Sequence, residues 1–363
     1  MNDLSIEKLR ALPTDVIKVD GGAVLRRDCT VLRVHGEGVE KILNVLFALA
    51  GEGGMTRAEL TSSLASSFPG IEQAADRLLG SLISCRILIE DGVHADGAAP
   101  ETSADIFFWN FDANWSRAAR SLAQQYILVL GVNALSLSIA RALAECGTQN
   151  YDVADRPSLR GPGFFAGTGE LIADKWSGGV KQPLGPEALD DTDMTAIGCI
   201  VAATDTGAQH LLRPLNRYAV DHKVPFLPVV LRDHVGQIGP LVIAGETACL
   251  ECLRARQNAN HVDAEGYRVA ELPSEAGTWA VGYHPMMTAM LGNVVAMELS
   301  KQFAGTLPHR NVGTMIEIKL LEPSVARRKV LKVPRCVACG TTGTVSAVNL
   351  DKKEYIPDPP PST

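Results

Sequence analysis

Tyr126-Ile-Leu-Val-Leu130-Gly131-Val-Asn133-Ala134-Leu-Ser136 is the stretch whose reading decides the fold. Its opening apolar run, Tyr126 to Leu130, suits a strand buried on both faces of a parallel sheet. Gly131 ends the run. Leu135, Ile139, Ala140 and Leu143 then recur at helical spacing until Gly147. Tyr151-Asp-Val-Ala154 reads as a second strand that delivers Asp155. Together they predict one βαβ unit, the usual opening of a nucleotide-binding α/β domain. Residues 156–190 are rich in glycine and proline and read as a long loop. Further on, Ile197 to Ala203 is another buried strand, which delivers Thr204-Asp205. A helix over 209–221, a strand over 226–231, a long apolar helix over 286–303 and a late strand over 315–321 follow.

The turn after the first strand is unusual for its position. A phosphate-binding turn needs glycines, because backbone must approach the phosphates with no Cβ in the way. Only Gly131 stands where a G-x-G-G-x-G loop places four glycines, and Asn133 puts a branched polar side chain where pyrophosphate would lie. Asp155 could accept hydrogen bonds from ribose hydroxyls. Asp205 could hold magnesium beside a triphosphate. Each could equally cap a strand end. Gly131, Asn133, Asp155 and Asp205 are therefore candidate residues of a residual nucleotide site that is not built to bind ATP tightly.

Two cysteine pairs carry the strongest chemical signal, Cys249-Leu-Glu-Cys252 and Cys336-Val-Ala-Cys339. A two-residue gap lets both thiolates of a pair reach one tetrahedral ion, and four sulfurs make a closed structural zinc site with no position for a reacting water. Such a site would staple the end of the chain to its middle. Two redox dithiols are the rival reading, weakened because neither pair opens a helix behind a thioredoxin-like strand. Cys29, Cys85, Cys146 and Cys199 lie among apolar neighbours and read as small hydrophobes in a reducing compartment.

Four segments are expected. Residues 1–92 form a small winged-helix-like module, 93–110 a linker rich in small residues, 111–345 the α/β domain, and 346–363 a proline-rich tail. Within the module, Val16–Val19 and Ala23–Arg26 flank the hairpin signal Asp20-Gly21-Gly22, and Val31–Val34 is a third strand. Three helices follow. The second is capped by Thr56-Arg-Ala-Glu59, and the third, over 71–84, has Ala74, Leu78, Leu82 and Ile83 as its buried stripe. Ile87–Ile89 closes the unit. A net charge of −7, and a third helix with Arg77 as its one cation, argue against nucleic acid as a partner. No apolar run has the ~18 residues that read as a membrane span. The N-terminus lacks the basic and apolar regions of a signal peptide, so the cytoplasm is the expected location.

Residues 120–345, through Val201-Ala-Ala-Thr-Asp205, Gly236-Gln-Ile-Gly-Pro and the two Cys-x-x-Cys pairs, resemble the ThiF/MoeB family of adenylating proteins related to ubiquitin-activating enzymes. The resemblance implies a Rossmann-like α/β fold, one structural zinc on Cys249, Cys252, Cys336 and Cys339, and a homodimer. The chain departs from the family in its glycine loop and in Arg156-Pro-Ser-Leu-Arg160-Gly, where the family has Asn-Leu-x-Arg-Gln. ATP and magnesium binding are thereby put in question. The N-terminal module resembles the PqqD-like recognition element, in which a precursor's leader peptide adds a strand beside the third strand and lies against the third helix. By that resemblance Leu32, Arg33, Val34, Arg77 and Ser81 would face a peptide. The combination resembles the leader-binding partner of azoline-forming peptide (bacteriocin-type) systems. It implies a non-catalytic component of a cyclodehydratase complex, with a separate YcaO-type enzyme consuming ATP. An active enzyme that adenylates a peptide C-terminus, as in microcin maturation, is the alternative.

Overall fold

The computed structural model describes residues 8–340 apart from 28–29, 52–54, 91–101, 110, 112, 114, 264, 267–268, 270–281, 305–306 and 308–310. The chain divides into two compact units, Met1–Ala118 and Ala119–Thr363. The expected tail, the start of the expected linker and the stretch before the long apolar helix lie outside the described residues.

The first unit holds two small antiparallel sheets. The strands are β1 (Lys8–Ala11), β2 (Asp15–Val19), β3 (Gly22–Arg27), β4 (Thr30–His35), β5 (Met55–Thr56) and β6 (Leu88–Glu90). They are ordered β5-β1-β6 and β2-β3-β4. Three helices complete the unit: α1 (Val39–Gly51), α2 (Arg57–Ser67) and α3 (Glu72–Ser84). The Asp20-Gly21 turn joins β2 to β3, with Val19 opposite Gly22. Gly22 must be glycine for a different reason: a Cβ there would lie 2.1 Å from the Val34 carbonyl oxygen on β4. Thr56 caps α2 in a reciprocal box with Glu59, as its spacing predicts. Leu82 is buried on α3 as expected, but the earlier part of the stripe is displaced by one residue. Ala75, Leu79 and Leu82 are buried, whereas Ala74 is exposed and Leu78 half-buried. The reading also omitted β1 and β5, strands too short to show an alternating pattern.

A helix, α4 (Ser103–Trp109), stands in the segment expected to be linker. Thr102 and Asp105 box its start: the Asp105 N–H donates to Thr102 Oγ1 and the Thr102 N–H donates to Asp105 Oδ2. Phe108 is buried and packs on Trp115 at the head of α5 (Trp115–Ala123).

The second unit is built on a seven-stranded mixed sheet, ordered β13-β12-β11-β10-β9-β7-β8. Its parallel part contains β7 (Tyr126–Leu130), β8 (Tyr151–Ala154), β9 (Ile197–Thr204) and β10 (Phe226–Arg232). The hairpin strands β11 (Val235–Ile238), β12 (Thr314–Lys319) and β13 (Ser324–Lys329) extend it antiparallel. Alternate residues of the parallel strands feed two cores. Ile127, Val129, Val153 and Val201 join Leu135, Ile139 and Leu143 of α6 (Ala134–Glu145) and Leu291, Val295 and Leu299 of α10 (Pro285–Phe303). Leu128, Leu130, Ile200 and Phe226 point the other way. After the short α7 (Ala188–Asp191), they meet Leu215 and Ala219 of α8 (Arg213–Asp221) and Leu250 and Leu253 of α9 (Leu250–Asn260). This double burial is why these strands read as unbroken apolar runs.

Candidate functional site

The turn after β7 lies where strand order reverses, with β8 on one side of β7 and β9 on the other. Open α/β sheets bind ligands at such a point. Gly131 has φ +110, and a Cβ there would lie 2.9 Å from the Ala203 carbonyl oxygen, so only glycine fits. Asn133 is fully buried and caps α6. Its Oδ1 accepts the Ser136 N–H at 2.9 Å, and Ser136 Oγ accepts the Asn133 N–H at 3.0 Å. Its Nδ2 donates to the carbonyls of Leu159 and Ala203, each at 2.9 Å. The branched side chain thus ties the turn to β9 and to the loop after β8.

Asp205 completes the closure. One carboxyl oxygen, Oδ2, accepts the Ala134 N–H at 3.1 Å and the Tyr283 hydroxyl at 2.6 Å. Ala134 is the first residue of α6, so this N–H is one that an anion at the helix start would use. Burial pushes the Asp205 carboxyl above its usual range, outweighing the hydrogen bonds from Tyr283, Ala134 and its own backbone N–H that lower it. Burial first, then Asp205, push the Tyr283 hydroxyl up as well. Gly161 lies on the same turn: its N–H donates to Val132 O at 2.8 Å, and a Cβ on it would lie 2.6 Å from that of Asn133. Arg160 beside it grips Asp155 through Nε, 3.0 Å from Oδ1 and 3.1 Å from Oδ2, and stacks on the Phe165 ring at 4.0 Å. Gly131, Asn133 and Asp205 are therefore brought together, and Asp155 is engaged by Arg160 at the neighbouring strand end. Tyr283 escaped the sequence reading, since no spacing marks it. The Asn133-x-x-Ser136 pattern was readable as a cap.

The four cysteines converge on the other face. Cys249 caps α9, Cys252 is one turn on, and Cys336 and Cys339 belong to the segment after β13. Their sulfurs all lie within 4.8 Å of one another. The contacts are 3.5 Å for Cys249–Cys336, 3.4 Å for Cys252–Cys339 and 3.9 Å for Cys249–Cys252. A zinc–sulfur bond of ~2.3 Å in a tetrahedron requires sulfurs about 3.8 Å apart, so the group fits a four-coordinate ion. Cys339 and burial push the Cys249 thiol up, the behaviour of packed thiols that a divalent cation would reverse. The Val333 N–H points at Cys252 Sγ at 3.3 Å. Gly340 turns so tightly that a Cβ would lie 2.5 Å from Cys336 O. The first pair opens a helix, with Cys249 as its cap, but the strand before it ends at Ile238, so no strand leads directly into the pair. What disfavours separate dithiols is the convergence of both pairs.

In the first unit, β4 is an edge strand of its sheet among the described residues. The Gly36 N–H donates to Gly21 O at 3.0 Å. With Gly22 opposite His35, this sets the parity of the ladder. The backbone groups of Leu32 and Val34 bond β3, and those of Val31, Arg33 and His35 face the open edge. Side chains follow the same alternation: Leu32 and Val34 are half-buried against the core, and Arg33 is exposed. Arg77 and Ser81 are both exposed on α3, where Ser81 Oγ donates to Arg77 O at 3.1 Å.

No protein-family model matches the sequence, and no curated protein matches it. Solved structures do. The heterocyclase TruD is 20% identical with a TM-score of 0.59, over 98% of this chain and 46% of that one. A heterocyclase in complex with substrate and cofactor is 18% identical with a TM-score of 0.54, over 92% of this chain and 40% of that one. The chain thus spans less than half the length of the heterocyclases. MccB of E. coli with AMPCPP and MccA is 14% identical with a TM-score of 0.62, over 92% of this chain and 99% of that one. At these identities the likeness is one of fold: this chain shares the α/β architecture found in TruD and in MccB.

Proposed function

We propose that this chain is a leader-peptide-binding component of a ribosomal-peptide heterocyclisation system, which presents a precursor to a separate YcaO-type ATP-dependent enzyme. Asp205 carries the reading. Its carboxyl oxygen takes the N–H at the start of α6 that a phosphate would need, while Asn133 and Gly161 fill the turn. A phosphoryl transition state requires several positive groups converging on it. Here Arg160, which adjoins Gly161 on that turn, is committed to Asp155. The nucleotide position of the ThiF/MoeB-like fold has thus become part of the protein core.

The open edge of β4 supplies the complementary activity. An extended peptide laid beside it would bond the backbone of Val31, Arg33 and His35, the mode known as β-augmentation. Arg33 from the strand and Arg77 and Ser81 from α3 would add side-chain contacts, favouring an acidic leader. A PqqD-like, winged-helix role for the first unit accords with this edge. Zinc on Cys249, Cys252, Cys336 and Cys339 would hold the second unit together and take no part in chemistry. A cytoplasmic location suits four reduced thiols.

The test is nucleotide turnover. Purified chain with precursor peptide and ATP is expected to release neither phosphate nor pyrophosphate, and release is expected once a YcaO-type enzyme is added. Pyrophosphate exchange into ATP by this chain and precursor alone would overturn the proposal in favour of an adenylating enzyme.

A further inference from the structure

One face of α8 reaches both cysteine pairs. Arg213, Asn216 and Arg217 stand at i, i+3 and i+4, the spacing that aligns side chains on one side of a helix. The Arg213 guanidinium donates through Nε and Nη2 to the carboxylate of Glu251, which lies between Cys249 and Cys252. The Leu250 N–H of the same pair donates to Asn216 Oδ1 at 3.0 Å. The Arg217 guanidinium donates to the carbonyl of Val337, which lies between Cys336 and Cys339. A single helix thus holds an intervening residue of each pair.

Asn216 differs from the two arginines. It is fully buried, whereas they are exposed. The donor on Leu250 fixes which end of its amide is the oxygen. Its Nδ2 is buried as well, and has no acceptor among the described residues. Buried donors are normally paired, so an idle one in a native fold needs an explanation. The groups beside it supply one. Leu250 follows Cys249 directly, and Cys249 and Cys252 are themselves fully buried. A thiol sulfur is a weak acceptor, whereas an ionised one takes strong, charge-assisted bonds. Four thiolates on a divalent ion carry two net negative charges, and a buried charge requires hydrogen-bond donors. The Val333 N–H, 3.3 Å from Cys252 Sγ, is one donor of this kind. Asn216 offers another on the side of Cys249.

We propose that Asn216 is a positioning residue of the metal centre: its oxygen sets the first turn of α9, and its idle N–H donates to the Cys249 thiolate when an ion is bound. The proposal rests on the four-thiolate reading and is independent of nucleotide or peptide binding. Chelator competition tests it first. Asn216→Leu is expected to bind zinc about 10–100-fold more weakly than wild type, the usual effect of removing an outer partner of a metal ligand. In the cobalt-substituted variant, the thiolate-to-metal absorption is expected to move to lower energy, because a sulfur without its donor gives up charge more readily. The second measurement needs no variant, and so stands even where Asn216→Leu fails to fold. In cadmium-loaded wild type, an Asn216 side-chain amide proton is expected to couple to the metal nucleus through the hydrogen bond. A metal-loaded wild type without that coupling overturns the proposal alone, as does Asn216→Leu with unchanged affinity and absorption. Weaker binding with neither the spectral shift nor the coupling reduces Asn216 to a helix cap and overturns it too. A wild-type chain that takes up no metal overturns the four-thiolate reading and this proposal with it.

Discussion

At the scale of single residues, Asp205 is the informative group. Its carboxyl titrates above the usual range because burial outweighs the bonds from Tyr283 and Ala134. In the unfolded chain it would titrate near ~3.9. Between those two values the folded chain keeps a proton that the unfolded chain has shed, so stability falls as pH rises through that window. Asp205→Asn keeps an acceptor for both donors and removes the titration. Its urea-unfolding free energy is expected to lose this part of the pH dependence and to match or exceed wild type at neutral pH. A large loss at neutral pH would show that the charge itself holds the turn. Asn133→Ala makes the opposite case. It removes a cap and strands the Leu159 and Ala203 carbonyls, so it is expected to cost about 3 kcal/mol in the same measurement.

At the scale of elements, the β4 edge makes a prediction that depends on parity alone. The Val31 N–H faces outward, so Val31→Pro removes a donor used by an added strand and none used by β3. Fluorescence anisotropy with labelled leader peptide should show binding weakened at least about tenfold, with the melting temperature little changed. Leu32→Pro cuts the β3–β4 ladder and should unfold the module. Equal behaviour of the two variants would mean that the peptide binds elsewhere. Helix and strand positions in this unit were legible where pattern is local: the Asp20-Gly21 turn, the Thr56–Glu59 box, the apolar spacing of α1. The stripe of α3 was misplaced because Leu78 and Leu79 are adjacent, and periodicity alone cannot choose between them. Tertiary packing chose Leu79.

At the scale of the whole molecule, the cysteine cluster joins α9 to the segment after β13 across a long stretch of chain. One zinc per chain is expected by elemental analysis. Cys336→Ser is expected to lower both zinc content and thermal midpoint, because binding an ion to a site absent from the unfolded chain stabilises the fold. Retention of full zinc and unchanged melting by that variant would exclude four-thiolate binding.

The sequence by itself determined the layered α/β unit, since strands buried on both faces must be apolar throughout, and the two cysteine pairs, since short cysteine spacings are local. It also showed that the β7 turn lacks its glycines. Only the tertiary structure decided what fills that turn. Asp205, Tyr283, Gly161 and Leu159 reach Asn133 and Ala134 from distant parts of the chain, and no spacing rule links residues brought together by sheet order. The same holds for the edge of β4, open among the described residues. Exposure is a property of what fails to pack, and that is settled only when every other element has been placed.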